Sequence, residues 1–247
     1  MGIKHGIALV LWALSSLPTS GAEIKVLAST GVSAMFKQLI PQYEKASGHQ
    51  VVISYDTSNL IISKIGAGQT ADLVVLTAPL IDQLARQGKV QAGSRVDLAQ
   101  SGIGVAVRAG APKPDISSGE ALKRAVLAAK SVVYSTGPSG IYLKDLFERW
   151  GIAAQIASKL VVVKGEPAGA VCARGEAELA FQQVCELLPV PGIDLVGPLS
   201  ADVQKITTFS AAVHRNAAHP DSAVALIKYL TAPAAAATIR KAGMEPA

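Results

Sequence analysis

The chain has 247 residues, half of them hydrophobic, with 17% charged and 4% aromatic side chains. That composition excludes a disordered or fibrous chain and supplies enough apolar surface for one large core or two modest ones. The formal net charge is +5, but Lys and Arg are scattered rather than clustered, which suits attraction of small anions and argues against a nucleic-acid-binding face.

Residues 1–22 have the features of a secretory signal. Lys4 and His5 give a positive start, Ile7–Leu14 is apolar, and Ser20-Gly21-Ala22 is a small-residue cleavage site. The apolar run is too short to span a bilayer, and no Cys follows the site to carry a lipid. The mature chain is expected to start at Glu23, to work in the periplasm, and to carry 22 basic against 18 acidic residues once Lys4 is removed. Cys172 and Cys185 would meet a compartment that permits a disulfide, so a bridge and two buried thiols both stay open. Their spacing fits no metal pattern and His is rare, so neither a metal nor a cofactor is expected.

From Glu23 onward strand and helix alternate. Ile24–Ala28 predicts a strand, Val32–Ser47 a helix stopped by Gly48, and Val51–Tyr55 a second strand. A polar turn, Asp56-Thr57-Ser58-Asn59, leads to a helix at Leu60–Ile65. Ala71–Leu76 is continuously apolar, as strands inside parallel sheets are, and Pro79 opens a helix over Leu80–Gln87. Ile103–Arg108 predicts a further strand, and Gly110-Ala111-Pro112-Lys113-Pro114 a break where the chain passes to a second lobe.

The second lobe repeats the alternation: helix Ala121–Ala129, strand Ser131–Tyr134, helix Ser139–Trp150, strand Leu160–Val163, a helix reaching Arg174, and strands Leu179–Phe181 and Asp194–Val196. Thr207–Val213 predicts a second crossing strand, and the helices opened by Pro220 and Pro233 return to the first lobe. The expectation is an α/β protein of two lobes, residues 23–108 plus 206–247 and residues 109–205. Each would be an open mixed sheet flanked by helices, with ligand held beyond the carboxyl ends of the strands, between the lobes.

One phrase occurs twice. Ser29-Thr30-Gly31-Val32-Ser33 and Ser135-Thr136-Gly137-Pro138-Ser139-Gly140 each join a strand to a helix. Helix starts expose unpaired N–H groups and partial positive charge, and small hydroxyl residues let an anion approach them. The ordinary alternative is that Ser and Thr merely cap both helices; the repetition, once per lobe, favours a shared anion cleft. No phosphate-binding, dinucleotide or zinc-protease motif competes with it. Lys64, Lys144, Lys164, Glu166 and Arg174 are the charges nearest these segments, and each reads as a solvated helix or loop charge.

The leader, the two lobes, Ala67-Gly68 followed by Ala71-Asp72-Leu73, and Gly137-Pro138-Ser139-Gly140-Ile141-Tyr142 together resemble the periplasmic molybdate-binding protein family. The resemblance implies a type II periplasmic-binding-protein fold, closing as a monomer on a small anion for the membrane subunits of an ABC transporter. Ligand contacts carried over by matching segments fall near Ser29 or Thr30 and at Asn59, Ser139, Pro167 and Gln183, and the N–H groups of Gly31 and Gly140 are expected to donate beside them. Three depart from the family pattern. Asn59 stands for a serine, Gln183 for a tyrosine, and Pro167, which has no N–H, for a backbone donor. A dehydrated oxyanion loses roughly 1–3 kcal/mol for each donor it lacks. Asn59, Gln182 and Gln183 both donate and accept, which suits a di- or tricarboxylate. One branch of the family resembles secreted enzymes that isomerise aconitate, so an isomerase using the same cleft stands as the alternative to a receptor.

Overall fold

The computed structural model describes residues 21–247, so the expected leader falls, but for Gly21 and Ala22, outside the described residues. β1 (Glu23–Ser29) is the axis of the first sheet, because β2 (Gln50–Asp56) and β3 (Leu73–Thr77) both pair with it in parallel. Its side chains alternate between two helix layers, as the period of a strand requires. Val26 and Ala28 join Met35 and Phe36 of α1 (Ser33–Ser47), whereas Leu27 joins Ile61 and Ile65 of α2 (Ser58–Gly66) and Ile81 and Leu84 of α3 (Ala78–Arg86). Gly48, at φ +74°, ends α1 in the left-handed conformation that glycine adopts without strain.

The chain then runs through β4 (Val96–Ser101), β5 (Ile103–Arg108), α4 (Gly119–Ala128), β6 (Val132–Ser135), α5 (Pro138–Arg149), α6 (Ala153–Ile156), β7 (Leu160–Val163), α7 (Ala168–Ala173), β8 (Leu179–Gln183), α8 (Val184–Leu187), β9 (Ile193–Pro198), β10 (Thr207–Val213), α9 (Pro220–Leu230), α10 (Ala236–Lys241) and β11 (Glu245–Pro246). The strands form two sheets. Six lie in the order β11-β4-β10-β3-β1-β2 and five in the order β7-β6-β8-β5-β9. Alternation again feeds two layers in the second sheet: Val132 and Tyr134 pack with Leu143, Phe147 and Phe181, and Val133 with Val171 and Cys172. Phe147 meets Phe181 edge-on at 6.4 Å between ring centres, a geometry that adds to its area burial.

The change of sheet does not come near residue 108. Ile103–Arg108 pairs antiparallel with β8 and β9, so the chain leaves the first sheet at Ser101 and enters the second at Ile103. Gly102 is the crossing. The break at residues 110–114 is a turn inside the second lobe, where the Ala111 N–H donates to the Arg108 carbonyl at 2.9 Å. The return path runs from β9 to β10, and Thr207 lies beside Ser101 in the β10–β4 ladder, so the two crossings are neighbours.

Two glutamines hold these crossings. Gln204 Oε1 accepts from the Ile103 N–H at 2.7 Å, and its Nε2 donates to the Ile103 and Leu199 carbonyls. A side chain at Gly102 would meet that carboxamide at 2.8 Å and displace it from the crossing. Gln183, 2% exposed, has the amide orientation in which its nitrogen donates to the Ser101 and Gly102 carbonyls at 2.9 and 3.2 Å while its oxygen accepts from the Thr207 hydroxyl at 2.8 Å. One carboxamide therefore spans both crossings.

The Ala71-Asp72-Leu73 motif has a structural reason of the same kind. Asp72 is 2% exposed, and its carboxylate accepts from the Lys25 N–H at 2.8 Å and the His219 N–H at 2.7 Å, clipping β1 to the start of α9. Cys172 and Cys185 are both buried and free, in separate core clusters, so the bridge left open by the sequence does not form. Among the described residues no single helix is long and apolar enough to cross a membrane.

Replacing Asp72 with Ala leaves two backbone donors without an acceptor and is expected to cost about 2–4 kcal/mol, read from the urea midpoint. Gln183→Leu roughly keeps the volume but removes the carboxamide that joins the two crossings, leaving the Gln204 bonds in place. It is expected to cost about 1–3 kcal/mol, and an unchanged midpoint would show that the crossings are held without Gln183.

Candidate functional site

Both STG segments sit at carboxyl ends of parallel strands. Ser29 closes β1 in register with Asp56, the last residue of β2. It is buried, and its Oγ accepts from the Gly31 N–H at 3.4 Å. Gly31 lies in a 3-10 turn, Thr30–Val32, and a side chain there would drive into the Phe209 ring. Thr30 is exposed beside it. At the end of β2, Ser58 is the buried hydroxyl at the first position of α2, while Asn59 is exposed.

In the second lobe Ser135 ends β6, and its Oγ accepts from the Gly137 N–H at 3.3 Å. Pro138 takes the first position of α5, where its missing N–H costs nothing. Ser139 follows at 1% exposure. Gly140 is obligatory, since a side chain there would collide with the Ser135 carbonyl. Next to β6, β8 runs parallel and brings Gln182 and Gln183 to the same edge.

The two carboxamides part ways. Gln183, expected to face a ligand, is instead taken up by the crossings described above. Gln182 Oε1 accepts from the Ala168 N–H at 2.9 Å. Pro167, exposed, precedes α7 and has no N–H to offer, and the next N–H in line is the one Gln182 has taken. The start of α7 therefore presents no free donor at either residue.

Of the charges singled out in the sequence, all but Lys164 are taken up in ion pairs. Lys64 pairs with Asp56, Lys144 with Glu148, and Arg174 with both Glu166 and Glu176. Lys164 is exposed. The sequence missed Glu186. It follows β8 on α8, and its Oε1 accepts from the Thr30 hydroxyl of the first lobe at 3.5 Å, the outer reach of a hydrogen bond. Burial pushes its carboxyl up to about 6, against the opposing pull of donors from Gln182, the Gln183 backbone and Thr30. Its neighbour Cys185 is pushed up to about 12 by burial and is inert as a thiolate at neutral pH. A polar residue in an apolar run, Val184-Cys185-Glu186-Leu187-Leu188, was the one available signal.

The strand-end residues thus come from both lobes: Ser29, Thr30 and Ser58 from one, Ser139, Gly140, Gln182 and Glu186 from the other, joined by the Thr30–Glu186 contact. A separate concavity of about 220 Å³ lies elsewhere on the first lobe, lined by Gln69, Lys89, His214 and neighbours, and shares no residue with this set. Among the described residues no group of three or more His, Cys, Asp or Glu is placed to hold a metal.

Comparison with known proteins agrees with this architecture. The chain is 40% identical to an aconitate isomerase of a Pseudomonas species, over 97% of this chain and 95% of that protein. It is 27% identical to the molybdate-binding protein ModA of Azotobacter vinelandii, over 93% of this chain and 92% of that one. Among solved structures, the Azotobacter vinelandii periplasmic molybdate-binding protein superposes with a TM-score of 0.74 at 22% identity, covering 90% of this chain and 98% of that chain. The sulfate-binding protein SubI of Mycobacterium tuberculosis gives 0.71 at 19% identity, covering 91% and 87%. These structural likenesses establish the two-lobed fold. With residues 24–245 matched to it, the chain belongs to the bacterial extracellular solute-binding protein family.

Proposed function

We propose that this protein is a periplasmic isomerase of a small tricarboxylic acid, interconverting cis- and trans-aconitate in the cleft between its lobes. One observation carries the reading: 40% identity, with 97% of this chain aligned, to a protein named for that activity. The local chemistry agrees. A tetrahedral oxyanion stripped of water needs donors on every side, yet Pro167 has none and the Ala168 N–H is occupied. A tricarboxylate is larger and asks for separate anchors. The Ser139 hydroxyl at the start of α5, with the N–H groups and partial positive charge of that helix, suits one carboxylate. Ser58 and Thr30 on the opposite lobe suit another. Interconversion of the isomers moves a proton and a double bond with no net oxidation, so it asks for a base and an anion cradle and for no redox cofactor.

The second reading is a receptor that closes on a small anion, by hinge motion at the crossings, and delivers it to the membrane subunits of an ABC transporter. The two-lobed fold and the paired STG helix starts favour it, since both serve binding without chemistry.

Turnover separates the two. Purified protein given cis-aconitate is expected to yield the trans isomer by proton NMR, and to reach the same final ratio starting from either isomer. Aconitate recovered unchanged, together with a melting temperature raised by molybdate or tungstate, would return the protein to the receptors. Ser139→Ala is expected to raise KM for aconitate about tenfold, close to 1.4 kcal/mol, and an unchanged KM would remove α5 from the cradle.

A further inference from the structure

Glu186 is ionisable, partly buried and placed between the lobes, and among the described residues it enters no ion pair. Thr30 donates to it from the first lobe at 3.5 Å. On its own side, the Ala168 N–H fixes Gln182 Oε1 at 2.9 Å, which leaves the amide nitrogen of Gln182 available to donate, and the downward pull of Gln182 and of the Gln183 backbone on the Glu186 carboxyl marks both as its neighbours. The turn at Gly243, between α10 and β11, lies against Cys185, and of the cations that precede it Arg240 pairs with Glu245 and Lys241 is exposed. The 3-10 turn brings a hydroxyl, β8 brings the Gln182 carboxamide, and α8 itself brings the Cys185 thiol. Arg108 and Asp194 lie at the far ends of β5 and β9. The Arg108 guanidinium borders Gly175, and the Asp194 carboxylate accepts from the Gly110 N–H. The Thr30 contact is long and the neighbours on its own side are neutral amides, so the carboxylate is held without being neutralised.

We propose that Glu186 is the base that removes and returns the proton during isomerisation, an assignment that rests on the isomerase reading above. The ionised carboxylate takes a proton from the substrate methylene. The C–H bond breaks, an O–H bond forms on Glu186, and the electron pair enters the allylic carbons and their flanking carboxylates. The protonated Glu186 then gives the proton to the other end of the allylic system, the former vinylic carbon. The double bond re-forms one position along, with a geometry set by how the cleft holds the former methylene arm. Glu186 ends ionised, nothing is oxidised, and no co-reactant is consumed. Donors from Ser139 and the start of α5 offset the charge that builds up on the carboxylates meanwhile.

A carboxyl pushed up to about 6 is mostly ionised at neutral pH, yet takes a proton more readily than an ordinary glutamate. The base must be ionised to act, so kcat/KM of the free enzyme is expected to rise with pH through about 6 and then level off. Glu186→Gln keeps the shape and is expected to lower kcat at least 100-fold while aconitate still raises the melting temperature. Glu186→Asp, which keeps a carboxylate one methylene back, is expected to retain part of kcat together with the acid limb, which a merely structural residue would not give. Wild-type turnover with E186Q within tenfold of it would overturn this assignment and leave the isomerase reading standing. Absence of wild-type turnover would overturn both.

Discussion

Where a chain passes from one sheet to another, its backbone donors and acceptors lose the ladder that satisfied them. Here that happens twice, side by side, and the groups are recovered by two glutamine side chains. Gln204 reproduces a strand partner for Ile103, accepting from its N–H and donating to its carbonyl. Gln183 ties the Ser101 and Gly102 carbonyls to the Thr207 hydroxyl. A buried polar group left unpaired costs as much as several good hydrophobic contacts return, so the relative position of the sheets depends on these carboxamides. The cleft is built directly on them. Gln183 is the last residue of β8, Gln182 precedes it, and Glu186 lies one helical turn beyond.

Much of the frame was legible in the sequence because the central parallel strands are buried on both faces and therefore read as unbroken apolar runs. Val74–Leu76 and Val132–Tyr134 are of that kind. β4 was not found. Val96-Asp97-Leu98-Ala99-Gln100-Ser101 carries a charge and an amide, and as an antiparallel strand with a half-exposed start it lacks the apolar signature. Missing it moved the first crossing to the Gly and Pro cluster at 110–114, the strongest local punctuation. The real crossing is marked by one glycine, Gly102, whose need is set by a side chain 102 positions away. Local sequence carries no trace of such a partner.

The site was legible to the same depth. The STG repeat marked two strand-to-helix joints by local chemistry, and both segments do join the carboxyl end of a strand to a helix start. The roles of Gln182 and Gln183 could not be separated from sequence, since adjacent strand residues point to opposite faces and the pleat decides which amide meets the cleft. Gln183 fell to the crossings and Gln182 to the Ala168 N–H. Glu186 gave almost no signal because its importance comes from burial against another lobe, and nothing in residues 184–188 announces that Thr30 will be opposite.

A carboxylate in an anion-binding cleft works against binding. At 4 Å, two like unit charges near a protein surface repel by roughly 4 kcal/mol, a heavy penalty for a receptor whose affinity rests on neutral donors. The same repulsion serves a base. A bound polycarboxylate raises the proton affinity of a glutamate beside it, and burial has already raised that of Glu186. In the proposed reaction, once the proton has moved the carboxyl is neutral and the new charge lies on the substrate, where Ser139 and the start of α5 would offset it. The fold of a solute receptor therefore needs few changes to become an isomerase: a cleft that excludes water, a cradle that tolerates carboxylates, and one unpaired carboxylate held by weak donors. The arrangement of Thr30, Gln182 and Glu186 has the third of these, and it is the one a receptor has no use for.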